Sequence, residues 1–227
     1  MPASDVLYRL DAVQQRWGDR LVLDIERLDV MKGETLAVIG PSGAGKSTLL
    51  RLLQFLERPV SGQLWFDGRP IDTPPPLHVR RRVTTVFQRS LVLNRSVRAN
   101  VGYGLRVRGI ANHEGQVDDL LEALGLAALT DAAAHTLSGG EIQRVAIGRA
   151  LAFSPDVLLV ESLIRKRKTP DVTVVLATHQ IFQARRLADR TTLLLDGRVV
   201  EVAPTARLLD SPQDPRTRAF LTGDMIY

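Results

Sequence analysis

The nine residues Gly40-Pro41-Ser42-Gly43-Ala44-Gly45-Lys46-Ser47-Thr48 constrain this chain more than any other stretch. They follow a continuously apolar run, residues 35–39, and lead into leucines at 49, 50, 52, 53 and 56, the spacing of a buried helix face. A strand, a glycine-rich loop matching G-x-x-x-x-G-K-[ST] and a helix, in that order, form a phosphate cradle. Glycines let backbone N–H groups turn inward, the helix N-terminus adds positive potential, Lys46 can reach the β and γ phosphates, and Ser47 can ligate Mg²⁺. A glycine-rich turn without a ligand fits this context poorly.

Around the cradle, short β-like runs alternate with longer helical patterns, which argues for an α/β fold. Candidate strands are residues 6–10, 21–25, 35–39, 83–87, 157–160, 172–177 and 191–195. Runs 35–39, 157–160 and 172–177 lack polar alternation, as expected of strands covered on both faces of a mostly parallel sheet. The first two alternate more and are expected in a separate antiparallel β layer. Val117, Leu120, Leu121 and Leu124, ended by Gly125, predict a second amphipathic helix. Asp67-Gly68 and Asp196-Gly197 read as hairpin turns, and residues 73–76 as a proline-rich loop. From Arg89 to Ala152 the pattern is almost wholly helical. The expected organisation is one domain over residues 1–227, with an α/β core (1–88 and 153–227) and an inserted helical subdomain (89–152).

Composition narrows the chemistry. The 227 residues contain no cysteine, which excludes thiol catalysis, cysteine-ligated zinc, iron–sulfur clusters and disulfides. The longest nearly apolar stretch, residues 123–129, is far short of the roughly 18 to 20 residues that span a bilayer. The first ten residues carry Asp5 and Arg9 without the apolar run of a secretory signal, so an uncleaved cytoplasmic chain is expected. A net charge of +5 permits contact with nucleic acid, anionic lipid or polyphosphate. Nucleic acid is disfavoured, because the basic residues are scattered and the densest run, residues 165–168, reads as a solvated helix end.

A second anion site is written into Leu137-Ser138-Gly139-Gly140-Glu141 and the helical residues 142–150 after it. Ser138 can cap a helix whose first turn holds Gly139 and Gly140, which presents free N–H groups to a phosphate. An ordinary serine-capped helix is the plainer alternative. With the cradle upstream, the stretch resembles the signature motif of ATP-binding cassette (ABC) ATPases. The resemblance covers Trp17 to about Val202 and implies a P-loop NTPase core, with ATP and Mg²⁺ as ligands. It also implies a second copy of the chain: Ser138, Gly139 and Gly140 would face the P-loop of that copy, sandwiching ATP between the two. It gives Trp17 the place of an adenine-stacking aromatic, the alternative being a half-buried tryptophan at a strand end. Gln88, after run 83–87, takes the place of a glutamine that contacts Mg²⁺ and the attacking water and senses the membrane partner. His179 takes that of a histidine on the γ-phosphate. His78, His113 and His135 have no such context.

The resemblance further implies the separate ATPase subunit of an importer, peripheral on the cytoplasmic face of a membrane and docked on permease subunits near Gln88 and the helical subdomain. A substrate-binding protein would serve it indirectly. Residues 87–109 look most like importers of oxyanions such as tungstate, molybdate or phosphate. Two other readings stay open: an ATP-binding module with little hydrolysis, and a soluble ABC ATPase acting on nucleic acid. The second usually carries paired cassettes or long coiled-coil insertions, absent here.

One segment departs from the family pattern. After run 157–160 the family has an Asp for Mg²⁺, a Glu that polarises water and a loop at the dimer seam; this chain has Glu161-Ser162-Leu163-Ile164-Arg165. Glu161 stands where the Asp belongs and Ser162 where the Glu belongs. Either residues 161–171 form a minimal crossover and hydrolysis is feeble, or about fifteen residues are missing between Val160 and Glu161 and residues 161–165 belong to the next helix. The intactness of every other motif favours the second reading.

Overall fold

The apolar runs without polar alternation become the centre of the molecule. In the computed structural model, which describes residues 5–72, 74–87, 90–111, 113–161 and 172–224, a six-stranded sheet has the order β10-β9-β3-β8-β7-β6. Its members are β3 (Thr35–Ile39), β6 (Val83–Val86), β7 (Val157–Glu161), β8 (Thr173–Thr178), β9 (Arg190–Leu195) and β10 (Arg198–Pro204). All neighbours are parallel except β9 and β10, which form a hairpin through Asp196-Gly197. The second layer, order β2-β1-β4-β5, is antiparallel: β1 (Val6–Trp17), β2 (Arg20–Met31), β4 (Ser61–Phe66) and β5 (Arg69–Pro70). Both Asp-Gly pairs turn their hairpins with positive φ at each residue, 50° and 74° at Asp67-Gly68, 46° and 77° at Asp196-Gly197. Strands β4 and β10 fall outside the runs expected from sequence; β10 is only part-buried, so its pattern carries little apolar signal.

Alternate residues of the central strands serve opposite faces. Leu36 and Val38 of β3, with Leu159 of β7 and Val175 of β8, pack under the antiparallel layer and α1 (Lys46–Leu53). On the other face Leu158, Val160, Val174 and Leu176 meet Ala146, Ile147 and Ala150 of the signature helix. Further along, Ala37 and Ile39 meet α7 (Ile181–Leu187) and α8 (Thr205–Asp210). Helix α9 (Pro215–Thr222) follows, with Asp214 capping its start through Arg216 N at 2.8 Å.

Of the leucines after Lys46, four are core, with relative exposures of 0 to 3%, but Leu56 is 52% exposed. The helix has already ended at Leu53, and Phe55 takes φ 60°, so Leu56 lies beyond the helical face. A four-residue helix, α2 (Leu77–Arg80), precedes β6, and β6 ends one residue earlier than expected, leaving Phe87 exposed. The described part of residues 89–152 holds α3 (Val97–Val101), α4 (Tyr103–Val107), α5 (Glu114–Ala123), two 3₁₀ turns and α6 (Gly139–Leu151), around a cluster including Val97, Val101, Leu121 and Val145. Among the described residues no helix is long and apolar enough to cross a membrane.

The chain passes from Val160 to Glu161 within one strand: β7 pairs with β8 in unbroken register from Val157↔Thr173 to Glu161↔Ala177. The expectation that residues 161–165 belong to the following helix is therefore corrected at Glu161, because its backbone completes the β7–β8 ladder. The rest of that crossover, and the basic run 165–168, lie outside the described residues.

Candidate functional site

The glycine-rich loop leaves the buried end of β3 and is braced from outside by backbone. Gly197 of the β9–β10 turn donates its N–H to Ala44 O at 3.1 Å and accepts one from Asp24 N of β2 at 2.9 Å. A Cβ on Gly40 would stand 2.2 Å from Leu194 O, and one on Gly45 2.8 Å from both Val22 O and Leu23 Cδ2. These positions have no room for a side chain. Gly45 is the N-cap of α1 with φ 100°, so the loop turns straight into the helix. The first N–H groups of α1, from Lys46 to Thr48, have no intrahelical acceptor and border the loop. Ser42, Gly43 and Ser47 are exposed, Pro41 is half-buried, and Ala44 and Thr48 are buried.

Lys46 is the charge of this site. Its ammonium donates to Gly40 O at 2.8 Å and Pro41 O at 2.5 Å, closing over the loop, and has no carboxylate partner among the described residues. Burial holds it below the ordinary lysine value. A half-buried cation with free helix N–H groups beside it is suited to a multiply charged anion.

Two further expected residues stand near this end of the sheet. Thr178 pairs with Ile39, so His179 leaves β8 beside the point where the loop leaves β3, and its side chain is exposed. The Thr178 hydroxyl accepts from Gln180 N and donates to Gln183 Oε1, both at 3.0 Å, fixing the turn into α7. Glu161, half-buried, ends β7 on the far side of β8. Trp17 ends β1 with 55% of its surface exposed. Gln88 lies outside the described residues. Among those described, no three His, Cys, Asp or Glu side chains gather to hold a metal ion. A metal at the loop would depend on ligand oxygens and Ser47, as suits Mg²⁺.

The signature stretch caps α6. Ser138 N and Oγ both donate to Glu141 Oε2, at 2.8 and 2.6 Å, and these bonds hold the Glu141 carboxyl below the usual range. Ser138 and Gly139 are exposed, and a Cβ on Gly139 would meet nothing within 4 Å.

The ABC transporter family pattern matches residues 23–162. The phosphate import ATP-binding protein PstB 2 of Natronomonas pharaonis is 40% identical, over 91% of this chain and 83% of its own. The chain belongs to the ABC transporter family. A probable anion import ATP-binding protein of Haloferax volcanii is also 40% identical, over 93% of this chain and 85% of its own. A methionine import ATP-binding protein, MetN, of Geobacillus kaustophilus is 35% identical, over 90% and 66%. ABC import ATP-binding subunits are ATPases coupled to transport.

In structure, cbiO1 of Clostridium perfringens, part of the ABC transporter complex cbiONQ, matches with a TM-score of 0.81 at 23% identity, covering 97% of this chain and all of that one. A bacterial Atm1-family ABC exporter with ATP bound matches with a TM-score of 0.80 at 25% identity, over 100% of this chain and 43% of that one. The fold is thus shared with the ATP-binding domain of a bacterial exporter. Alignments with the two 40% relatives span 235 and 244 positions, more than the 227 residues of this chain, so those ABC proteins carry residues with no counterpart here. The family match stops one residue past β7.

The bracing of the loop by Val22, Leu23 and Gly197 was not foreseen. Asp196-Gly197 signalled only a hairpin, and nothing local in β2 marks contact with the loop. The Ser138–Glu141 pair was signalled by S-x-x-E at a helix start.

Proposed function

We propose that the chain binds ATP on residues 40–48 and drives a membrane permease by dimerising around it. The observation that carries this reading is Lys46, half-buried, without a carboxylate partner among the described residues, and tied across the loop at the N-terminus of α1. The loop's N–H groups and Lys46 hold the phosphates, Ser47 and Gln88 serve Mg²⁺, and Trp17 stacks on adenine. Ser138, Gly139 and Gly140 clasp ATP from the second copy, and Gln88 and His179 address the γ-phosphate and water. Bound Mg²⁺ would neutralise phosphate charge. The partners are a second copy, permease subunits at the cytoplasmic membrane face, and indirectly a substrate-binding protein. The cargo is an inorganic oxyanion, a choice supported by the two relatives at 40% identity, named for phosphate and anion import. ATP titration of the full chain and of Lys46→Ala tests the site: undiminished affinity in the variant overturns it.

A specific observation favours a second reading, ATP binding with little hydrolysis. Strand β7 ends at Glu161 and the next residue is Ser162, so among the described residues the carboxylate at that strand end is Glu161, in the place of the metal-associated Asp. Without a base to orient water, turnover falls by about 10²- to 10⁴-fold. Phosphate release per bound ATP separates the two readings: many turnovers per minute exclude the second. An intact mass equal to that of 227 residues, with no further segment, removes the missing-segment explanation.

A further inference from the structure

The turn that braces the glycine-rich loop is itself clamped. Gly197 presses on β2 at close range: a Cβ on it would stand 2.5 Å from Val22 O and 2.9 Å from Leu23 Cα. The other Asp-Gly turn has no such contact, since a Cβ on Gly68 would meet nothing within 4 Å. One residue past Gly197, the Arg198 guanidinium donates from Nε and Nη2 to Asp24 Oδ2 at 3.0 and 2.7 Å. Asp24 lies on β2, and its backbone N–H already donates to Gly197 O. One residue therefore grips the turn twice, through its backbone and through its carboxylate.

The carboxylate is anchored on its other side as well. Gln14 Nε2 of β1 donates to Asp24 Oδ1 at 3.1 Å, and Ser61 Oγ of β4 donates to Gln14 Oε1 at 3.3 Å. Gln14 and Arg198 hold the Asp24 carboxyl below the usual carboxylate range, so it is ionised at neutral pH. A path of hydrogen bonds thus runs from β4 through β1 and β2 to the β9–β10 turn, and from Gly197 N to Ala44 O in the loop. That last bond decides where an amide points. A trans peptide carries its C=O and N–H in opposite directions, and the chain has no cis peptide among the described residues. Ala44 O is drawn outward to Gly197, so the N–H of the same peptide unit, on Gly45, is turned to the inner side of the loop, where α1 begins. An amide aimed in advance costs less to order when an anion arrives.

We propose that Asp24 and Arg198 are positioning residues for ATP. Without touching the ligand, they keep the β9–β10 turn seated on β2 and, through Gly197, keep the Gly45 N–H aimed at the phosphates. The proposal rests on the reading of residues 40–48 as the ATP site. The Arg198 side chain is 65% exposed and the pair is part-screened, so it adds little to global stability. Its effect is felt in the loop.

The test uses the full chain, the single variants Asp24→Asn and Arg198→Gln, and the double variant. ATP with Mg²⁺ is titrated into each by calorimetry, and urea unfolding is followed on the same samples. Hydrogen–deuterium exchange is measured over residues 40–48 without nucleotide. Each single variant is expected to bind ATP about fivefold more weakly, the ratio that one well-ordered, part-screened charge pair supplies. The double variant should be no weaker than the worse single, because both residues act through one clamp. Exchange in residues 40–48 should be faster in all three, with urea resistance little changed. Unchanged ATP affinity in both single variants overturns the proposal, whether or not urea resistance falls, since the pair would then serve the fold alone. Losses that multiply in the double variant, a large loss of urea resistance, or loop exchange equal to wild type overturn it as well. A wild-type chain that binds no ATP overturns instead the reading of residues 40–48 as the ATP site.

Discussion

The two proposed anion-binding stretches of this chain use glycine for opposite reasons. In the loop after β3, Gly40 and Gly45 lie against the protein's own backbone, with Leu194 O and Val22 O where a Cβ would go. At the start of α6, Gly139 has nothing of its own chain within 4 Å of that place. The first pair is required by folding. The second position is open, and its smallness serves whatever approaches from outside, which in the proposed dimer is ATP held by the other copy. One half of the site is thus built into the core and the other is presented at a surface.

The largest effect should come from breaking the built half. Gly45→Ala combines a backbone at φ 100° with contacts at 2.8 Å, and should cost about 3 kcal/mol of stability together with ATP binding. Urea unfolding and ATP titration check both losses. Lys46→Ala should leave stability nearly unchanged while weakening ATP about 10- to 100-fold, the worth of charge-assisted bonds to phosphate. Gly139→Ala should not destabilise the monomer, because alanine favours a helix by up to about 1 kcal/mol over glycine. It should bind ATP normally yet fail to dimerise, and a fall in its melting temperature would show that the two halves are alike after all.

The smallest effect concerns the cap. The Glu141 carboxyl is held below its ordinary value by Ser138, so it adds stability above the unfolded pKa of about 4.3, and that stability is lost as pH falls through the lowered folded value. Wild type should therefore exceed Glu141→Gln in urea resistance at neutral pH, and the gap should close in acid. A gap that persists or widens at about pH 3 contradicts the capping role.

The same contrast explains what could be read in the sequence. The loop announced itself because its glycines, lysine and hydroxyl are consecutive and follow an uninterrupted apolar strand. Both layers of the fold were legible in the alternation, or lack of it, along residues 6–10, 21–25, 35–39 and 157–160. The brace was not legible: Gly197 reaches Ala44 across more than a hundred residues, and its Asp-Gly pair carries the same signal as Asp67-Gly68, which turns the β4–β5 hairpin without touching the loop. Leu56 misled for a local reason, since spacing alone does not show that Phe55 leaves the helix at φ 60°. A groove under Tyr103 and Phe153 was not legible either, because its walls come from β6, α4 and α6, which only the fold brings together.

Sedimentation equilibrium of the full chain with and without Mg²⁺ and saturating ATP, alongside Gly139→Ala, tests most directly whether the built loop and the presented glycines form one site across two copies. The account predicts monomers without nucleotide, dimers with it, and a Gly139→Ala protein that stays monomeric while binding ATP as tightly as wild type. A wild-type chain that remains monomeric at saturating ATP, or a Gly139→Ala chain that dimerises equally well, contradicts it.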